Sequence, residues 1–212
     1  AGTSAVFTEL IELLSKSAPE YKGVYEVSLD ISGLGPVAPT KNIYYFKNGS
    51  ARFDLINPSI DNNVPLQRIF YTPTNTITCI NQVTGSYLDG TAKIGATEKC
   101  FSEPSASSNK ASIGNLETPY QINSYKTNQD SITVYSLGKK TFTDIEANCY
   151  RLERLSGETK VTNDYCINKE GIITFRRETR KLNNLNSITT LKLITIERTV
   201  PNETMTPPPQ TQ

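Results

Sequence analysis

The sequence predicts a mainly antiparallel β fold of all-β or α+β class: a curved sheet or open barrel, entered through a helix and left through an extended tail. Three observations predict it. Runs rich in Tyr, Thr, Val and Ile alternate with period two, in a chain with 11 Tyr and no Trp. Turn pairs such as Asn48-Gly49 and Asp89-Gly90 punctuate those runs. One segment alone carries apolar residues at helical spacing, and it lies at the N-terminus.

That segment holds Phe7, Leu10, Ile11 and Leu14 on one helical face, with Ser4 or Thr3 as cap and Pro19 marking the exit. Residues 1–20 therefore form a helix or arm, residues 21–200 the β domain, and residues 201–212 a proline-rich tail. In the run 24–32, Tyr25, Val27, Leu29 and Ile31 point one way and Glu26, Ser28, Asp30 and Ser32 the other. Residues 33–39 read as a loop. Residues 42–47 and 50–56 flank Asn48-Gly49 as the clearest hairpin, which sets Tyr44 against Phe53 and Tyr45 against Arg52. Strands follow at 66–72 and 76–83, and the chain returns after Asp89-Gly90. Residues 102–118 are polar and irregular, a loop or short helical turn. Strands resume at 131–137, 144–155, 162–168, 171–181 and 188–199.

The four cysteines, Cys79, Cys100, Cys149 and Cys166, form no CxxC, and the chain has no His. A zinc site would need scattered thiolates to converge without the usual ligand spacing, whereas hairpin register favours disulfides. Paired residues in a hairpin have a constant number sum. A turn at Asp89-Gly90 sets Cys79 opposite Cys100. A loop at Ser156-Gly157-Glu158-Thr159 sets Cys149 opposite Cys166, Arg151 opposite Asp164 and Tyr150 opposite Tyr165. The predicted bridges are Cys79–Cys100 and Cys149–Cys166. They imply an oxidising compartment, so the expected location is extracellular or at the cell surface. Sequons at Asn48 and Asn202 point the same way. The small residues Ala1-Gly2-Thr3-Ser4 fit a mature chain start after signal-peptide removal.

The composition argues against several functions. Lys+Arg 22 against Asp+Glu 21 creates no field for nucleic acid. Without His, the usual general base and the His-based triads and metal sites are missing, and no glycine-rich phosphate loop occurs. Asp30, Asp54, Glu146 and Glu153 read as solvated strand positions rather than a paired-carboxylate site. The run 176–181 (Arg-Arg-Glu-Thr-Arg-Lys) offers an anion site, but strand alternation splits it between two faces, which favours a solvated edge. The expectation is a protein that is not an enzyme and uses no cofactor or metal.

The apolar faces carry more. Tyr25, Val27, Leu29, Ile31, Tyr44, Phe46, Phe53 and Leu55 line one sheet surface. Covered by the N-terminal helix it is ordinary core; left partly open by a curved sheet, it is a groove for a lipid or a neighbour's segment.

Two groups of segments carry a family resemblance. The first is the N-terminal helix running into residues 21–32, with Ile43-Tyr44-Tyr45-Phe46-Lys47-Asn48-Gly49-Ser50-Ala51-Arg52-Phe53-Asp54 after it. The second is Ala147-Asn148-Cys149-Tyr150-Arg151-Leu152 leading to Asp164-Tyr165-Cys166-Ile167-Asn168-Lys169-Glu170-Gly171-Ile172. With these the chain resembles the lipoprotein-carrier (LolA/LppX-like) half-barrel proteins, including secreted archaeal relatives. The resemblance implies a strongly curved antiparallel sheet around helices, a half-open barrel with a hydrophobic cavity that takes acyl chains.

Two functions follow as expectations. The first is a structural subunit of a cell-surface assembly such as a filament, self-associating through its termini at Ala5, Val6, Phe7, Val200 and Pro201. The second is a carrier or binder of a lipid or other hydrophobic ligand in the half-barrel. An adhesin or stalked sensor ectodomain stands behind both.

Overall fold

The first and last strands of the β domain meet in the middle of one sheet, and this closure organises everything else. In the computed structural model, residues 4–61, 63–72, 74–104, 116 and 119–209 are described. Helix α1 (Ala5–Leu14) precedes β1 (Tyr21–Ile31), β2 (Gly35–Lys47), β3 (Ser50–Ile56), β4 (Gln67–Tyr71), β5 (Asn75–Thr84) and β6 (Lys93–Pro104). Helix α2 (Pro119–Thr127) leads to β7 (Ile132–Phe142), β8 (Ile145–Ser156), β9 (Thr159–Ile167), β10 (Ile173–Leu182) and β11 (Leu185–Glu197). The strand order is β6-β5-β4-β3-β2-β1-β11-β10-β9-β8-β7. Two meanders are thus joined by the antiparallel β1–β11 pair, and β6 and β7 remain as open edges. The curved, unclosed antiparallel sheet is the half-open barrel that the sequence implied.

Ser4 caps α1, its hydroxyl accepting from the Phe7 amide at 3.1 Å, while Thr3 lies outside the described residues. The helix buries Phe7, Leu10, Ile11, Leu13 and Leu14. They pack on Tyr150, Leu152, Tyr165, Ile167 and Ile173 of β8–β10, joined by Ile122 and Tyr125 of α2. We call this helix-bearing side the inner face. A second inner cluster, Tyr21, Tyr25, Phe46, Ala51, Ile172 and Leu193, lies over the β1–β11 junction. Buried hydroxyls in both clusters are satisfied: Tyr25 donates to the Ile173 carbonyl at 2.8 Å, and the Tyr125 and Tyr165 hydroxyls bond at 2.8 Å.

Both disulfides form as the registers require. Cys79 pairs with Cys100 and Cys149 with Cys166, each across directly opposed residues. The route to the first differs from the expected two-residue turn. The register slips between Asn81 and Val83, so the strands stop at Thr84 and Lys93, and an eight-residue connection spans 85–92. The second hairpin closes tighter than expected, with Ser156 opposite Thr159.

Three further expectations are corrected. Residues 35–39 extend β2 instead of forming a loop, because 35–37 pair with the end of β1 past a bulge at Val27/Leu29 that takes up 38 and 39. A second helix, α2, exists. Strand β10 is no edge: it lies between β9 and β11, and its charges divide between the two faces.

The tail runs back over the outer face. Val200 is 0% exposed, and its amide donates to Glu20 Oε1 at 2.8 Å. Lys47 Nζ donates to the Val200 carbonyl and Arg52 Nη1 to that of Thr204, the latter at 2.8 Å. Residues Asn202–Met205 form a 3-10 turn there. Positions 1–3, 105–115 and 210–212 of the sequence-level expectations lie outside the described residues.

Candidate functional site

Strands β1, β2, β10 and β11 are the centre of the sheet, and their inner-face side chains bound a cavity of about 230 Å³. The register explains who lines it. Val27 stands opposite Leu191, Leu191 opposite Arg176, and Thr189 opposite Glu178, so these side chains share one face. Asn42 and Tyr44 approach from β2, and Leu116 faces the cavity from the connection between the two meanders. Leu116 also packs against both inner clusters.

The lining is amphipathic. Val27, Leu116, Leu191 and the Tyr44 ring provide apolar walls, and polar groups gather at one side. Arg176 Nη2 lies 3.8 Å from Glu178 Oε2, and Glu178 Oε1 accepts from Arg180 Nε at 2.6 Å. Among the described residues, Arg176 and Arg180 flank Glu178 along that row of β10. Asn42 Nδ2 donates to the Tyr44 hydroxyl at 3.4 Å, while Asn42 Oδ1 is buried without a partner among the described residues. Burial pushes the Tyr44 hydroxyl's pKa up, against the opposing effects of Asn42 and Arg176. A buried acceptor and a cation beside apolar walls match a ligand with a chain and a polar head.

The apolar surface continues past the cavity. Phe53 opposes Tyr44 and Ile69 opposes Phe53; Leu55 opposes Asn42. All three side chains are half-buried. A hollow of about 350 Å³ elsewhere is lined by Glu26, Ala38, Pro39, Thr40, Lys41, Pro58 and Ser59. Its walls offer no large apolar side chain, so it suits water better than an acyl chain.

Of the eight groove residues expected from the sequence, Val27 and Tyr44 line the cavity. Tyr25 and Phe46 are core, Phe53 and Leu55 lie along the adjoining surface, and Leu29 and Ile31 sit further along β1. Sequence reasoning missed Asn42, Leu116, Thr189 and Leu191, and it raised the run holding Arg176 and Glu178 as an anion site only to favour a solvated edge. Alternation would have placed Arg176 and Glu178 on one face; what was not visible is that β10 neighbours β11 and, through it, β1.

The other candidates sort as follows. Among the termini, Phe7 and Val200 are buried within the chain, Val6 packs against the α1 cluster, and Ala5 and Pro201 are exposed. Asn48 and Asn202 are both exposed. Asp54, expected as a solvated position, is buried and paired to Arg52 Nη2 at 2.6 Å, because its strand neighbours bring the guanidinium over it. Arg52 also stacks on the Tyr45 and Phe70 rings, 4.9 and 5.1 Å from their centroids. Cys79, Glu98 and Cys100 cluster within 4.8 Å, but both sulfurs are joined in a disulfide and offer no thiolate.

The outer face also holds a carboxylate shared by two guanidinium groups. Asp164 accepts from Arg151 Nε at 2.7 Å and Nη2 at 3.0 Å, and from Arg177 Nη2 at 2.6 Å. Burial alone would raise its pKa; the hydrogen bonds from Arg151 and Arg177 outweigh burial and hold it below the usual carboxylate range.

Comparison with protein-family models and with curated proteins finds no match. Among solved structures, the fold is similar to that of MucB, with a TM-score of 0.57 at 8% identity over 97% of this chain. The chain spans 64% of that MucB chain. The MucA/MucB complex of Pseudomonas aeruginosa aligns at a TM-score of 0.54, with 7% identity over 98% of this chain and 62% of that one. A LolA superfamily protein from Nitrosomonas europaea aligns over 98% of this chain and 99% of its own at 8% identity, with a TM-score of 0.40. At such identities the likeness is one of fold.

Proposed function

We propose that the protein is a non-catalytic, extracytoplasmic binder or carrier of an amphiphile with one apolar chain and an acidic head, held on the inner face of the half-barrel. The observation that carries this reading is the cavity that places Val27, Leu191 and Leu116 beside the Arg176 side chain. Its volume is just below the roughly 300–1,000 Å³ of closed small-molecule sites. The ligand's head and first carbons fill it, and the rest of the chain lies along Phe53, Leu55 and Ile69. Two disulfides favour an oxidising compartment such as the periplasm or the exterior. No described helix is long and apolar enough to cross a membrane.

The assembly reading is weaker. Phe7 and Val200, two of the residues expected to join neighbours, are already buried in their own chain. A protein partner is a second reading, favoured by the open edges of β6 and β7, which can accept an added strand. MucB itself has been solved in complex with MucA.

The test is a fluorescence displacement titration with alkyl carboxylates of increasing length, each below its micelle concentration. Affinity rises about fourfold per methylene, the equivalent of ~0.8 kcal/mol of apolar burial. Arg176→Met weakens the carboxylates about tenfold and leaves the matching alcohols unchanged. Equal binding of carboxylate and alcohol by the wild-type chain, or no displacement at all, refutes the reading.

A further inference from the structure

Glu178 is an unexpected wall for a cavity that takes an acidic head. Its side chain is 17% exposed on the inner face of β10, and it lines the cavity together with Arg176. Both of its ionic partners are arginines of its own strand. Oε1 accepts from Arg180 Nε at 2.6 Å, while Oε2 lies 3.8 Å from Arg176 Nη2, too far for a hydrogen bond. Across the neighbouring strands it stands opposite Asn163 of β9 and Thr189 of β11, neither of which carries a charge. Asn163 keeps both polar atoms of its side chain buried without a partner among the described residues, so it donates nothing to the carboxylate. The wall thus presents a guanidinium and, beside it, a carboxylate with one oxygen outside any hydrogen bond.

Screening decides which of these charges a bound head feels. Arg180 is 57% exposed and lies outside the cavity lining, so water and salt weaken its field. Glu178 is largely withdrawn from solvent, and its field is weakened less. With Glu178 Oε2 3.8 Å from the guanidinium, a head in contact with Arg176 has its charge within ~7 Å of that oxygen, inside the Debye length at physiological salt. Attraction to Arg176 and repulsion from Glu178 both grow in proportion to the charge of the head. The cost of desolvating the head grows with the square of that charge. A second negative charge therefore doubles the repulsion and quadruples the desolvation cost, while the attraction only doubles.

We infer that Glu178 is a specificity-determining residue that restricts the cavity to amphiphiles whose head carries one negative charge, such as a carboxylate or a phosphate diester. Phosphate monoesters, which carry about two charges at neutral pH and above, are turned away. The inference rests on the amphiphile reading of the cavity and names the class of head that it takes.

Displacement titrations of the full chain at pH 8 with decyl phosphate, its methyl ester and decanol test it. The ester differs from the phosphate by one methyl group and one charge. The wild-type chain binds the ester about tenfold tighter than the phosphate, the factor for one charge ~7 Å from a partly solvated carboxylate. Glu178→Gln keeps the size of the side chain and removes its charge. Measured relative to decanol, it raises the affinity of both anions and closes the gap between them by about tenfold. The wild-type comparison needs no variant, so the inference stays falsifiable even where Glu178→Gln fails to fold. Two results overturn the inference and leave the amphiphile reading standing. One is a wild-type chain that binds dodecanoate yet holds phosphate and ester equally; the other is a gap that a folded Glu178→Gln chain preserves. Failure of the decyl anions and the alkyl carboxylates alike to bind overturns the inference and the reading beneath it together.

Discussion

Asp164→Asn is the most informative single change to stability. Asparagine keeps the size of the side chain but removes the charge that holds Arg151 and Arg177 together on the outer face. The Asp164 side chain is 7% exposed and makes three charge-assisted hydrogen bonds. Each such bond contributes roughly 1.5–3 kcal/mol when well desolvated. Both guanidinium groups reach solvent, at 36% and 43%, so the stranded cations hydrate and the loss is discounted to about 2 kcal/mol in all. With a urea slope of about 2–3 kcal/mol/M, the unfolding midpoint falls by just under 1 M. The pH dependence has a definite sign. The native pKa lies below the unfolded value of about 3.9, so the stabilisation is complete above that value and is lost as pH falls through the native pKa. Urea unfolding followed by circular dichroism should show the full gap between wild type and variant at pH 6, closing progressively on acidification below about pH 4. A gap that persists unchanged to the lowest pH at which both chains fold would refute the electrostatic account.

Two further stability predictions rest on other parts of the fold. Cys149→Ser/Cys166→Ser opens a bridge spanning 17 residues and costs about 3 kcal/mol on the chain-entropy model, measured by denaturant unfolding; no change on reduction would contradict it. Gly23→Ala sets a methyl 2.7 Å from the Tyr25 ring and 2.9 Å from that of Tyr21. Both rings are fixed in the buried β1–β11 cluster, and the cost is about 1–3 kcal/mol in the same assay.

What the sequence made legible was local pairing. Asn48-Gly49, with both residues at positive φ, set the β2–β3 register, and the two cysteine pairs followed from number sums alone. Local features that break the rules were lost. Gly35 and Pro36 look like a loop, yet with Val37 they extend β2 because the end of β1 offers them a partner. The Asp89-Gly90 tip was misplaced because a slip in register near Gly95 is invisible to a constant sum, although it leaves the cysteines opposed. Helix α2 buries Ile122 and Tyr125 and is otherwise polar, a stripe too narrow to announce itself. The cavity was half legible. Alternation named Val27 and Tyr44, but Leu191, Arg176 and Glu178 join them only because the chain's first and last strands pair, and no local pattern encodes that contact.

The central claim is that the inner face binds the apolar chain and acidic head of one ligand together. Methyl NMR of the labelled protein titrated with dodecanoate tests it most directly. The account predicts saturable one-to-one shifts at Val27, Leu191 and Leu116, with Ile56 and Ile77 on the outer face unmoved below the micelle concentration. Shifts confined to the outer face, or none at the three cavity residues, would contradict it.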